Sequence, residues 1–183
     1  MAFSQDQYVN ALHFAARAHG DQKTPTGLPY VVHISSVTME VIAALHAEPG
    51  HDDDLAVVCA LLHDVVEDTA TTLEQIAAMF GPRVAAGVSA LTKDDSLGKP
   101  AAMQDSLTRI LRQPPEIALV KLGDRVTNLA PPPPRWSDAK IAAYRVEAQA
   151  ILDVLGAASP FLSARLAERI RTYPPERPSK AAP

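Results

Sequence analysis

A single cysteine, Cys59, occurs in the 183 residues, and it lies inside an apolar run. One thiol cannot form an internal disulfide, so no covalent staple holds this fold, and the expected setting is reducing and cytoplasmic. Aromatic residues are scarce at 5%, which disfavours a sheet-based fold, since strands draw on aromatic and β-branched side chains. No uninterrupted apolar run approaches the ~18–20 residues that cross a bilayer, and Met1–Gln7 carries no secretory pattern, so no membrane partner is expected. Basic residues are the minority, 17 Lys and Arg against 21 Asp and Glu, for a net charge of −4. A nucleic-acid binder leans on a basic surface, so nucleic acid is not the expected main partner. An anionic small molecule can bind only where a metal ion or a local basic cluster offsets the acidic field.

What is abundant is alanine, with 31 residues, the best helix former. The length suits one domain with a real core, and 47% apolar with 21% charged residues excludes a disordered chain. The expectation is an all-α, single-domain helical bundle over residues 1–173, followed by a Pro-rich, flexible tail at 174–183. Ser4-x-x-Gln7 and Thr72-x-x-Gln75 are capping boxes, and Gly20 and Gly81-Pro82 are stops. Helices are predicted from Ser4 to Gly20, then at His33–Ala47, Asp53–Asp68, Thr72–Gly81, Arg83–Leu91, Met103–Leu111, Glu116–Leu129, Asp138–Leu155 and Pro160–Thr172. Lys23–Tyr30 reads as a loop. The Pro131–Pro134 run fixes φ and lacks backbone donors, so it reads as an extended connector.

The chemistry concentrates in Asp53–Asp68. Its first half is apolar on nearly every side, the mark of a buried helix. Its second half sets His63, Asp64, Glu67 and Asp68 at i, i+1, i+4 and i+5, so a continuous helix would place them on one arc. Three carboxylates and an imidazole on a helix built for burial repel one another unless a cation joins them. Taken alone, the pattern fits a solvated helix end equally well. His33, which follows a Gly/Pro loop, and Asp124, paired at i, i+4 with Asn128, complete a mixed N/O donor set on separate helices. Helical bundles build core metal sites from such sets.

His33…His63-Asp64…Asp124 resembles the signature of HD-domain metal-dependent phosphohydrolases. LLHDVVEDT, with Glu67-Asp68, narrows the resemblance to the hydrolase domain of the RelA/SpoT-homologue alarmone enzymes. The segments at 18–33 (AHGDQKTPTGLPYVVH), 120–129 (VKLGDRVTNL) and, more loosely, 136–148 (WSDAKIAAYRVEA) are similar to the family's flanking motifs. The resemblance covers about residues 5–172. It implies a Mn²⁺-dependent hydrolase that removes the 3′-pyrophosphate of guanosine tetra- or pentaphosphate, without the synthetase domain of longer relatives. It also implies that His33, His63, Asp64 and Asp124 are metal ligands, and that Glu67 and Asp68 orient or deprotonate the attacking water. Asn128 would lie near the ribose, Tyr144 would line the pocket, and Lys23, Lys121 and Arg125 would face substrate phosphates. Where the family carries an Arg-Lys pair before the first His, this chain has Gln22-Lys23. The same metal site acting on another nucleotide (an adenine alarmone or NADPH) and a non-catalytic nucleotide-binding module are the alternatives. His13, His19, His46 and His51 read as structural or surface residues, and Cys59 as core.

Overall fold

The computed structural model describes residues 3–175, and the residues 176–183 of the expected tail lie outside them. Every regular element among the described residues is helical: α1 (Gln5–His19), α2 (Tyr30–Ala47), α3 (Asp53–Leu62), α4 (Val65–Asp68), α5 (Leu73–Phe80), α6 (Pro82–Leu91), α7 (Lys99–Ile110), α8 (Pro115–Asn128), α9 (Asp138–Leu155) and α10 (Pro160–Thr172), with short 3₁₀ turns at Asp95–Leu97 and Gly156–Ala158. The chain is the all-α bundle that its alanine content and periodicity predict.

At the centre runs α3, whose residues 55–62 are all buried. It packs against α1, α2, α6 and α8, and α2 also lies along α8. The α2–α8 crossing passes through Gly123, where a Cβ would come within 3.4 Å of Glu40 Cβ and Val41 Cγ2. By length and composition α2 could cross a membrane, but here Ile34, Val37, Val41, Ala44 and Leu45 bury its inner face in the core. Two carboxylate acceptors, Glu116 buried and Glu48 half-buried, anchor the frame. Glu116 accepts from the Asp52 backbone N–H at 2.8 Å and faces His51 Nδ1 at 3.3 Å, tying the start of α3 to α8. Glu48 accepts from Ser159 Oγ and from the Phe161 backbone N–H at 2.5 and 2.7 Å, tying the end of α2 to the start of α10.

The capping boxes act only partly as read. Thr72 and Gln75 satisfy each other's backbone donors reciprocally, whereas Ser4 shows only the forward bond, to the Gln7 N–H. Four helices begin earlier than the periodicity indicates, α6 by the one residue that puts Pro82 at its first position. Pro29, Pro114 and the Lys99-Pro100 step supply helix starts that need no backbone donor, so α2, α8 and α7 extend back to Tyr30, Pro115 and Lys99.

The larger departure is inside the predicted Asp53–Asp68 helix, which is broken. Helix α3 stops at Leu62, His63 and Asp64 form a turn, and α4 restarts at Val65. Asp64 sits at φ −104°, ψ −4°, off helical geometry. The cause is local: the Ala60 carbonyl accepts from the His63 ring at 2.8 Å, in the place where a continuing helix would bond it to the Asp64 N–H.

The fully buried Leu61 tests the importance of this central helix. Leu61→Ala is expected to cost about 2–5 kcal/mol of unfolding free energy, read from the shift of a urea unfolding midpoint at unchanged m-value.

Candidate metal centre

His33 lies in the first turn of α2, His63 and Asp64 in the break after α3, and Asp124 in the last half of α8. The packing of those three elements around the core brings their side chains together. Asp64 Oδ2 is 3.0 Å from His63 Nε2 and 3.5 Å from His33 Nε2. Asp124 Oδ1 is 3.5 Å from His33 Nε2 and 3.8 Å from His63 Nε2. One donor atom each from His33, His63 and Asp64 fall within 4.8 Å of one another, spacing that suits a single metal ion, with Asp124 closing the fourth side.

Each donor is aimed by a second contact. A carbonyl oxygen only accepts, so the His63 Nδ1 bound to Ala60 carries the proton and Nε2 presents its lone pair. That Nε2 is buried and has no hydrogen-bond partner, an orphaned acceptor of the kind a metal ion satisfies. The Tyr30 hydroxyl donates to Asp64 Oδ2 at 2.5 Å. Asn128 Nδ2 donates to Asp124 Oδ1, and Lys121 Nζ pairs with Oδ2 at 3.3 Å. The donor set fits a divalent cation: two imidazoles, which ligate in their neutral form, and two carboxylates, held by outer contacts.

The electrostatics point the same way. Burial opposes charge on His33, yet bonding to Asp124 and Asp64 outweighs it and lifts the imidazole pKa to about 10. Burial pushes the Asp64 and Asp124 carboxyls up, but His63 and His33 around the first, and Lys121 and His33 around the second, hold both well below the usual carboxylate range. Burial and then the Asp64 charge push the Tyr30 hydroxyl up, so it stays a donor. The nest is built to gather positive charge.

Because the helix breaks at His63, the four groups predicted on one arc divide among three partners. His63 and Asp64 converge with His33 and Asp124. Glu67 turns to Lys93, accepting from its Nζ at 2.7 Å and its backbone N–H at 3.0 Å. Asp68 accepts from Gln22 Nε2 at 2.9 Å. A cavity of about 520 Å³ opens beside the nest, with His33, Tyr30 and Asn128 on its wall. Lys23, Gln22 and Tyr144 line it as well, with Trp136, Tyr173 and the Pro131–Pro133 stretch. Trp136 meets Tyr144 edge-on, with ring centroids 5.1 Å apart.

Lys121 and Arg125 do not face the cavity as expected. Both are buried: Lys121 is committed to Asp124, and Arg125 to Glu147 and to the Tyr144 ring 4.5 Å away. A cation on the inner side of a packed helix is stabilised by a fixed partner, and these two brace the wall instead of meeting solvent. Two residues that contact the site, Tyr30 and Lys93, carry no role in the sequence reading. Tyr30 stands three residues before His33, a helical spacing that carries the signal; Lys93 follows α6 with no pattern to mark it. His19, read as structural or surface, is buried and hydrogen-bonds Gln22.

An all-helical bundle with two imidazoles and two carboxylates beside a cavity suits a divalent metal ion, and its relatives make the chain a metal-dependent hydrolase. An HD-domain family model matches residues 11–158, and the chain belongs to the HD-domain family. It is 35% identical over 144 residues to the human guanosine-3′,5′-bis(diphosphate) 3′-pyrophosphohydrolase MESH1, covering 75% of this chain and 78% of that protein. It is also 35% identical over 127 residues to an Aquifex aeolicus protein named guanosine-3′,5′-bis(diphosphate) 3′-pyrophosphohydrolase; the match takes in 68% of this chain but only 17% of that protein's length. A solved structure described as a metazoan ortholog of SpoT that hydrolyses ppGpp superposes with a TM-score of 0.78 at 29% identity, covering 94% of this chain and 98% of that one.

Removing a donor should separate metal binding from the rest of the site. His63→Ala and Asp64→Ala are each expected to lose stoichiometric divalent metal, measured by elemental analysis after gel filtration. Glu67→Ala, whose partner is Lys93, is expected to keep it; equal metal loss in all three would place Glu67 among the ligands.

Proposed function

We propose that this protein is a Mn²⁺-dependent guanosine-3′,5′-bis(diphosphate) 3′-pyrophosphohydrolase that converts (p)ppGpp and water into GDP or GTP and pyrophosphate in the cytoplasm. The observation that carries it is the orphaned His63 Nε2, tautomerically fixed and facing Asp64 at the centre of the nest. Support also comes from the names of its relatives, which match over most of the human protein's length. His33, His63, Asp64 and Asp124 would hold the ion. When bound, such an ion lowers the pKa of water and polarises a phosphoryl oxygen, so hydroxide is available near neutral pH.

The chain's own groups supply the remainder. Glu67 and Asp68, on the short helix that follows Asp64, would orient the attacking water and take its proton. Lys93 lies against Glu67, and burial, which opposes its charge, is outweighed by the bond to Glu67, so it remains cationic. Asn128 lies on the cavity wall, where it fixes Asp124 and can meet a ribose. Lys23 brings an ammonium to the same wall for phosphate, and Tyr144 and Trp136 bring aromatic surface for a base. Phosphoryl transfer asks chiefly for such positioning and charge neutralisation.

One observation favours a second reading within the same chemistry. Gln22 spends its amide on His19 and Asp68, so of the Gln22-Lys23 pair only Lys23 offers a cation to the cavity. That leaves guanine preference less determined than hydrolysis and keeps another nucleotide, an adenine alarmone or NADPH, as the competing substrate.

Purified protein with Mn²⁺ is expected to release pyrophosphate from guanosine tetraphosphate, identified by chromatography of the products, ahead of the other nucleotides in a panel. Glu67→Ala should lower turnover by ~10²-fold or more, the scale of a lost acid–base group. Release of neither pyrophosphate nor phosphate from any nucleotide would leave a binding module.

A further inference from the structure

We infer that His19 and Gln22 form a positioning relay for Asp68, so that Gln22 governs the rate of hydrolysis instead of the grip on nucleotide; this rests on the functional reading above. His19 Nδ1 lies 2.8 Å from Gln22 Oε1, and Gln22 Nε2 lies 2.9 Å from Asp68 Oδ2. An amide oxygen and a carboxylate oxygen both accept, so the chain has one direction: His19 donates to Gln22, and Gln22 donates to Asp68. Each bond polarises the next.

The two donors of the relay are held. His19 is buried at 5% exposure and stacks on Tyr30, with ring centroids 4.5 Å apart and planes at 30°. Gln22 is fixed through its backbone, its N–H donating to His19 O at 2.9 Å and its carbonyl accepting from the Tyr30 N–H at 3.0 Å. Asp68 is the opposite case: it is exposed, at the last position of a four-residue helix, and among the described residues Gln22 is the side chain that hydrogen-bonds it. Left alone, such a carboxylate samples several rotamers, and a catalytic base gains from being held in one. The relay takes Oδ2 and leaves Oδ1 for a water. It also draws the Gln22 amide out of the binding role its place on the cavity wall suggests, while the exposed Lys23 beside it stays available to phosphate.

The test is a double-mutant cycle on the full chain loaded with Mn²⁺, with guanosine tetraphosphate as substrate and kcat and KM measured separately. Gln22→Leu is expected to lower kcat about tenfold, the scale of one hydrogen bond to a charged group, with KM within about twofold of the unsubstituted chain. In an Asp68→Ala background, Gln22→Leu is expected to have no further effect. His19→Ala is expected to lower kcat in the same direction through the intact Gln22, and it serves as the second probe should Gln22→Leu fail to fold by thermal melting. Equal losses with and without Asp68, or a loss confined to KM, would overturn the relay while the hydrolase reading stands. An unsubstituted chain that binds Mn²⁺ but splits no guanosine tetraphosphate would overturn the hydrolase reading, and the relay's catalytic role with it.

Discussion

The bond from the His63 ring to the Ala60 carbonyl, 2.8 Å long, takes an acceptor that a continuing helix would use. Two consequences follow from that single substitution of partners. The apolar central helix ends there, so Asp64 can leave helical geometry and turn toward His33 and Asp124. The proton is also committed to Nδ1, which leaves Nε2 as a lone pair in a space where nothing else accepts or donates to it. Backbone geometry and ligand chemistry are thus set by the same contact, and the tautomer needs no external carboxylate to define it.

Around that turn the protein carries buried charge that would be ruinous without compensation. Asp124 is buried, and its two oxygens are divided: Lys121 faces one, while Asn128 and the imidazoles face the other. Asp64 is shared among Tyr30 and the two histidines. The acids are kept ionised, and the same attraction favours protons on the imidazoles when no metal is bound, so the nest draws positive charge either as protons or as a metal ion that displaces them. The demand is local. Glu67, a few residues on, is paired with Lys93, and Asp68 accepts from the neutral Gln22 amide, so both are engaged outside the nest.

Much of this was legible in the chain. Periodic apolar positions and stop signals found the helices, and the all-apolar run from Leu55 marked the one at the centre. His33, His63, Asp64 and Asp124 were legible because imidazoles and carboxylates that suit one metal ion stand at the spacing of a known family's signature. The break at His63 was not, because Val65-Val66 continues the apolar run and i, i+4 spacing persists straight through it. A side chain that competes with its own helix for a carbonyl leaves no mark in periodicity. Lys121 and Arg125 look like solvated cations, as most on helices are, and only the packing of α8 reveals that they face inward. Lys93 and the His19–Gln22 pair owe their places to contacts across loops, which local spacing does not encode.

The Pro131–Pro133 stretch on the cavity wall has a consequence of its own. An imide nitrogen bears no hydrogen, so for three successive residues the main chain there has nothing to donate. A ligand edge laid against those three residues meets rings and carbonyl oxygens. Acceptor atoms gain no main-chain donor from those three residues, so whatever discrimination they exert comes from contour and from repulsion of lone pairs.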